Sequence, residues 1–103
     1  MKLIQTLSDR INEEISDSKF YAKWAAELKH EHPALSHVLY TISTQEADHE
    51  AMLHEQVVKI IEQYRKEHGD PPPAMKAIYD HWHQQAIDKM AEARRYQDIY
   101  RSL

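Results

Sequence analysis

The chain has 103 residues, enough for one small domain but near the lower limit for a self-sufficient core, so we expect residues 1–103 to form one self-associating domain. One glycine, four prolines and 29% charged residues, with no alternating run of β-branched residues, predict an all-α fold. The formal charge is −4 and the basic residues are scattered among acids, so nothing in the sequence indicates a nucleic-acid-binding surface.

The chain has no cysteine, which excludes disulfides, thiolate zinc sites, iron–sulfur clusters and rubredoxin-type iron centres. The first ten residues contain no apolar core of signal-peptide length, and no stretch approaches the roughly 20 apolar residues of a membrane span. We therefore expect a soluble protein of the cytoplasm.

The first helix is predicted over about residues 6–30, with Thr6 or Ser8 capping its amide groups. Its expected buried stripe alternates steps of four and three, as in a packed helical bundle. The stripe consists of Leu7, Ile11, Glu14, Ser18, Tyr21, Ala25 and Leu28. An acid, Glu14, therefore occupies a position where an apolar residue is expected.

The second helix is predicted over residues 33–67, because Pro33 ends the preceding turn and suits the first turn of a helix. The two helices should fold back as an antiparallel hairpin. The apolar stripe of the second helix contains Leu35, Leu39, Ile42, Leu53 and Ile60. Glu46 and His49 fall in the same stripe, where burial is costly unless a partner compensates them.

The turn brings Glu14, Glu46 and His49 to one level of the hairpin. Glu14 lies about 18 residues before the centre of the turn, and Glu46 and His49 lie about 14 and 17 residues after it, at 1.5 Å of rise per residue. The three side chains should therefore lie within about one helical turn of each other.

A third helix is predicted over residues 74–102, after Gly69 and three consecutive prolines. The linker is short, so this helix should return antiparallel to the second helix or pack on another subunit. Its expected apolar side carries Met75, Tyr79, Trp82, Ala86, Met90, Ala93, Tyr100 and Leu103.

The three polar residues predict a metal site. In four-helix carboxylate centres, two helices each supply one Glu and two others each supply a Glu-x-x-His pair. This chain supplies half of that set, and a two-fold dimer of hairpins would supply this half twice and so complete the centre. The third helix offers Asp80-x-x-His83 at the wrong level, and Glu92 beside its apolar stripe is expected to face solvent. The alternative is a non-catalytic helical interaction protein in which the three residues form a buried hydrogen-bonded network that fixes the register of the bundle.

Glu14 followed seven residues later by Tyr21, and then Glu46-Ala-Asp-His49, resembles the first half of the rubrerythrin and ferritin-like superfamily. The chain resembles the encapsulated ferritin family still more closely, in the pairs Glu13-Glu14 and Phe20-Tyr21 and in His49-Glu-Ala-Met52. The short chains of that family build a ferroxidase centre between two subunits. The resemblance covers about residues 7–65.

The resemblance implies a ferritin-like four-helix bundle formed by dimerisation, with Glu14, Glu46 and His49 as iron ligands. It implies that Tyr21 hydrogen-bonds beside the site, and that two iron ions per dimer site are oxidised from Fe(II) to Fe(III) for storage or detoxification. Zinc and manganese are alternative metals, and a rubrerythrin-like peroxide scavenger with an external electron donor is an alternative function. The resemblance also implies assembly into higher oligomers and an encapsulin-type shell as a partner. We recognise no shell-targeting peptide in the last four residues.

Overall fold

The computed structural model describes residues 2–103 as three α-helices: α1 (Lys2–Leu28), α2 (Pro33–His68) and α3 (Pro73–Ser102). They form a rod that measures 56 × 18 × 18 Å. The predicted all-α class is confirmed for this part of the chain. Over the same residues, no helix combines the length and the apolar character that crossing a membrane requires.

The first helix begins at Lys2, so the predicted cap at Thr6 or Ser8 is wrong. The Thr6 hydroxyl donates to the carbonyl oxygen of Lys2 at 2.9 Å, a bond that a threonine inside a helix makes to the preceding turn. Ile4 is 5% exposed, which gives this first turn its own packing contact. At the other end, α1 stops at Leu28, two residues before the expected boundary.

The predicted turn between α1 and α2 is confirmed. The amide of His32 donates to the carbonyl of Leu28 at 2.8 Å, and Pro33 is the first residue of α2. Gly69 ends α2 with a φ of 77°, a left-handed conformation that a side chain would disfavour. Its amide donates to the carbonyl of Arg65 at 2.8 Å.

Small residues allow α1 and α2 to approach closely. Ser36 is fully buried, and its hydroxyl donates to the carbonyl oxygen of Ala25 on α1 at 2.5 Å. Further along the same seam, Ser43 faces Ser18, again with no exposed surface. Since residue numbers rise along α1 as they fall along α2, the hairpin is antiparallel, as predicted.

The third helix packs mainly on α1. Ala86, Met90 and Ala93 of α3 form one apolar cluster with Ile11 and Ile15 of α1. Later in both helices, Ala25 meets Tyr100, so α3 runs parallel to α1 and antiparallel to α2. The predicted direction is confirmed, but α2 as the main partner within the chain is wrong, and packing of α3 on a second subunit stays a prediction.

The position of α1 between the other two helices corrects its predicted stripe. Ile4, Ile15 and Ala22 are buried although the predicted stripe does not contain them, and Ile15 packs against Met90 and Ala93 of α3. Leu7, Tyr21 and Leu28, which the stripe contains, are only half-buried. A helix with two neighbours buries a wider face than a helix with one.

The carboxyl end of α3 is attached to the hairpin turn. The ring of Tyr100 stacks on Tyr40 with 4.3 Å between centroids, and the Lys29 ammonium donates to the Tyr100 carbonyl at 2.5 Å. Leu103 is 50% exposed, so its predicted place in the apolar stripe is wrong. Gln97, which no apolar pattern selects, is buried instead.

Replacing Ala93 with leucine tests how α3 is packed. Ala93 has no exposed surface, so the larger side chain should lower the free energy of unfolding by about 1–3 kcal/mol. Ala91→Leu is the matched control, since Ala91 is exposed on the same helix and both changes have nearly the same helix propensity. Urea unfolding of both variants measures the difference, and equal stabilities would contradict the packing of α3 on α1.

Candidate metal centre

Glu14, Glu46 and His49 lie together where α1 faces α2. Each offers one ligand atom, and these atoms lie within 4.8 Å of one another. The Nδ1 atom of His49 is 3.5 Å from Oε2 of Glu14 and 4.0 Å from Oε2 of Glu46. The predicted common level of the three side chains is therefore confirmed.

The group is buried at one end and open at the other. The side chain of Glu14 is 12% exposed and that of Glu46 is 21% exposed, whereas His49 is 55% exposed. Ile15, which packs in the cluster with α3, follows Glu14 by one residue and so points about 100° away around the helix. The site is therefore open to solvent at His49.

One carboxylate oxygen of this group has no hydrogen-bond partner while both acids are ionised, although Nδ1 of His49 lies 3.5 Å from it. Oε2 of Glu14 is buried and makes no hydrogen bond within the part of the chain that the structure describes. Its other oxygen, Oε1, accepts only a long bond of 3.4 Å from Arg10, a guanidinium that also pairs with Glu13. A buried acceptor without a partner costs about 1–3 kcal/mol, and more when it is charged. Two carboxylates and an imidazole with such an atom fit a divalent cation.

The carboxyl group of Glu14 changes the pKa of the neighbouring Glu46. The pKa of Glu46 is raised from 4.5 to about 7. The main cause is a hydrogen bond that the protonated acid shares with Glu14, followed by burial and by repulsion from the Glu14 charge; His49 acts in the opposite direction. Near neutral pH the pair therefore tends to hold one proton in a place that a cation could occupy.

A separate polar cluster one turn away is fully paired. Ser18 and Ser43 each donate a hydroxyl hydrogen to the carbonyl oxygen of the other residue, at 2.8 and 2.6 Å. The side-chain amide of Gln97 donates to both hydroxyl oxygens, at 3.2 and 3.0 Å. This cluster has the properties of a network that fixes helix register, and the Glu14 group, with its unpaired oxygen, does not.

Sequence reasoning missed the roles of Ser43 and Gln97. Ser36 and Ser43 are spaced seven residues apart on α2, a spacing of small residues that favours close helix packing and could have been noticed. No comparable pattern pointed to Gln97, because it is one polar residue among many on a charged helix. Its importance arises from the helix against which it packs.

Tyr21 lies on the site's side of α1, but the structure does not join it to the three ligand candidates. Within the described residues the Tyr21 hydroxyl makes no hydrogen bond to any of the three. The Tyr21 side chain packs instead against the cluster of Ala25, Leu39 and Tyr100. Its ring also meets Phe20 edge-on at 5.5 Å. The role that the family resemblance assigns to Tyr21 stays a prediction.

The candidates on α3 are elsewhere, as expected. Glu92 is exposed and forms an ion pair with Lys19 at 2.7 Å, which lowers the pKa of Glu92. The ring of His83 stacks on His54 with 5.0 Å between centroids. Asp80 pairs with Lys76 on its own helix at 2.7 Å. None of these α3 residues joins the group of Glu14.

Comparison of the chain with protein-family models, with curated proteins and with solved structures found no match in any of the three. Any function assigned to the chain therefore rests on its own residues and on the geometry of this site.

Proposed function

We propose that this protein binds Fe(II) and oxidises it to Fe(III) for storage or detoxification, at a di-iron carboxylate centre between two ferritin-like subunits. The observation that carries the proposal is the buried, unpaired Oε2 of Glu14 beside Glu46 and His49. A site that left such an atom without a partner would only destabilise the fold, whereas a cation bound there compensates it.

One chain supplies three ligands, which is half of the set that a four-helix dinuclear centre uses. The side of the hairpin that carries His49 is open, so a two-fold dimer could place two such sets face to face. The hairpin also exposes large apolar side chains that a partner could cover: Phe20, Trp24, Leu35, Val38 and Met52. These features favour a homodimer, with larger oligomers built from it.

The residues of the site have distinct parts in this chemistry. The carboxylates of Glu14 and Glu46 would balance the charge of the two Fe(II) ions, which are the substrate, and neutral His49 would donate a nitrogen lone pair. Glu46 must first release the proton that it holds near neutral pH. The two Fe(II) ions would then give up one electron each, and with two protons from solvent these electrons would reduce dioxygen to hydrogen peroxide, or hydrogen peroxide to two water molecules. The two Fe(III) ions would leave for storage.

The absence of cysteine favours this activity over a self-contained peroxidase. Without thiolates the chain holds no rubredoxin-type iron to return electrons to the site. A rubrerythrin-like peroxide scavenger would therefore need an external electron donor. The cytoplasm as compartment and a protein shell as partner stay predictions of the same kind.

Metal content and iron oxidation test the proposal. Purified protein should bind about one metal ion per chain and, after addition of Fe(II) in air, form Fe(III) absorbance much faster than Glu46→Ala. Glu55→Ala is the control, because Glu55 is exposed and pairs only with Lys59 on α2. Equal rates for the parent and Glu46→Ala would remove the ferroxidase function. Stoichiometric zinc or manganese without iron oxidation would indicate a metal site of another function.

A further inference from the structure

A buried polar cluster joins all three helices next to the metal centre. Ser18 and Ser43 have no exposed surface, and Gln97 of α3 is 7% exposed. Their four hydrogen bonds measure 2.6 to 3.2 Å. Polar groups of α1, α2 and α3 therefore meet here out of contact with solvent.

The hydrogen atoms of this cluster can be assigned by counting. Each serine hydroxyl has one hydrogen, and both are used on the carbonyl oxygens across the α1–α2 seam. In this arrangement the two hydroxyl oxygens, which lie 3.2 Å apart, turn lone pairs towards each other. The amide nitrogen of Gln97 has two hydrogens and supplies one to each oxygen. An acceptor in its place would leave both oxygens without a donor.

The cluster is close enough to the site to set its dimensions. Ser18 follows Glu14 by one turn on α1, and Ser43 precedes Glu46 by one turn on α2. A displacement of one helix along the other by one residue is 1.5 Å, whereas ligand atoms must be placed to within about 0.5 Å. The bonds that hold Ser18 against Ser43 therefore also hold the two carboxylates at their separation.

We propose that Gln97 is a positioning residue for the metal centre: by donating to Ser18 and Ser43, it makes α3 hold Glu14 and Glu46 at the separation that a cation requires. This inference rests on the proposed function and assigns to α3 a part in it. Within residues 2–103 the side chain of Gln97 donates to the two serines and makes no hydrogen bond to the three ligand candidates, so it acts through the serines.

Cobalt titration of Gln97 variants tests the inference. Gln97→Met keeps the length of the side chain and removes its donors, and Gln97→Glu keeps its shape and replaces the donors with acceptors. Both should bind Co(II) about 10–100-fold more weakly than the parent, the usual effect of losing a group that orients a metal ligand. The visible absorbance of bound Co(II) should also change, because it reports ligand geometry.

Met90→Ala is the control for a merely structural role. Met90 is buried on the same helix and packs with Ile11 and Ile15 of α1, and it takes no part in the hydrogen bonds of the two serines, so its loss lowers stability without removing them. At equal loss of unfolding free energy, Met90→Ala should retain Co(II) affinity within about threefold and the parent's Co(II) spectrum. If Met90→Ala and Gln97→Met weaken binding equally, Gln97 acts through general stability and the inference is wrong.

A double variant that lacks both serine hydroxyls shows whether Gln97 acts through the serines. Ser18→Ala/Ser43→Ala should bind Co(II) more weakly than the parent, and adding Gln97→Met should cause no further loss, because the acceptors of its amide are already gone. A further tenfold loss would contradict the inference, as would parent-like binding by Gln97→Met alone. If the parent binds no Co(II), the proposed function fails and the inference fails with it.

Discussion

Replacing Glu14 with glutamine is expected to stabilise the metal-free protein and to weaken metal binding by at least about 100-fold, the upper end of the effect of losing a supporting group around a metal. Glutamine has the shape of glutamate, but it adds two donors and removes the charge. It therefore relieves the unpaired Oε2 and the repulsion of Glu46. We expect the free energy of unfolding of metal-free protein to rise by about 1–3 kcal/mol at pH 7.5.

Glu13→Gln is the matched control for this result. Glu13 is the neighbouring acid on α1 and pairs with the same Arg10, but it is exposed. The change there should alter neither metal affinity nor stability by a large amount. The opposite result for Glu14→Gln, a destabilisation of about 3–5 kcal/mol without metal, is what breaking a buried structural pair produces. It would indicate that the three residues fix register and do not bind a cation.

The stability of the metal-free protein is expected to fall as pH rises from about 5 to 8. Glu46 has its ordinary pKa of 4.5 when the chain is unfolded and a pKa of about 7 when it is folded. The folded state therefore holds a proton that the unfolded state has lost, and this stabilisation disappears as pH passes through 7. We expect the loss to be about 1–2 kcal/mol, since water at the open side of the site screens part of the effect.

Metal binding should have the opposite pH dependence. A cation must displace the proton of Glu46, so its apparent affinity should rise about tenfold per pH unit up to about pH 7. Chemical unfolding of metal-free protein and Co(II) titration over pH 5–8 measure the two effects. In Glu46→Gln the fall of stability over this range should be smaller than in the parent. A parent and a Glu46→Gln variant with parallel stability profiles would show that Glu46 holds no such proton.

The two neighbouring polar clusters of this protein differ in a way that bears on function. Ser18, Ser43 and Gln97 satisfy each other's donors and acceptors, so they stabilise the fold as they stand. Glu14 and Glu46 do so only through the proton that Glu46 holds, and the charge of Glu14 raises the cost of ionising Glu46. Paired polar groups fit the role of register, while groups that are unpaired in the metal-free protein are typical of a binding site.

The hairpin and the common level of its polar residues could be predicted from the amino acids alone. Pro33 begins α2 and Gly69 ends it through their own backbone properties, and a constant rise per residue then sets the height of Glu14, Glu46 and His49. Burial of Glu14 was likewise predictable, because it replaces an apolar residue in a periodic stripe. Each of these properties depends on local geometry or on spacing along one helix.

Only the folded structure decided three features: the packing of α3 on α1, the burial of Gln97 and the start of α1 at Lys2. The helix α3 carries exposed isoleucines as well as its buried residues, so more than one of its faces could have been buried: Ile78, Ile87 and Ile99. Which face it buries depends on how side chains distant in sequence fit together, here Ile15 against Met90 and Ala93. Gln97 is placed beside Ser18 and Ser43 by that fit, and no periodicity along α3 specifies it.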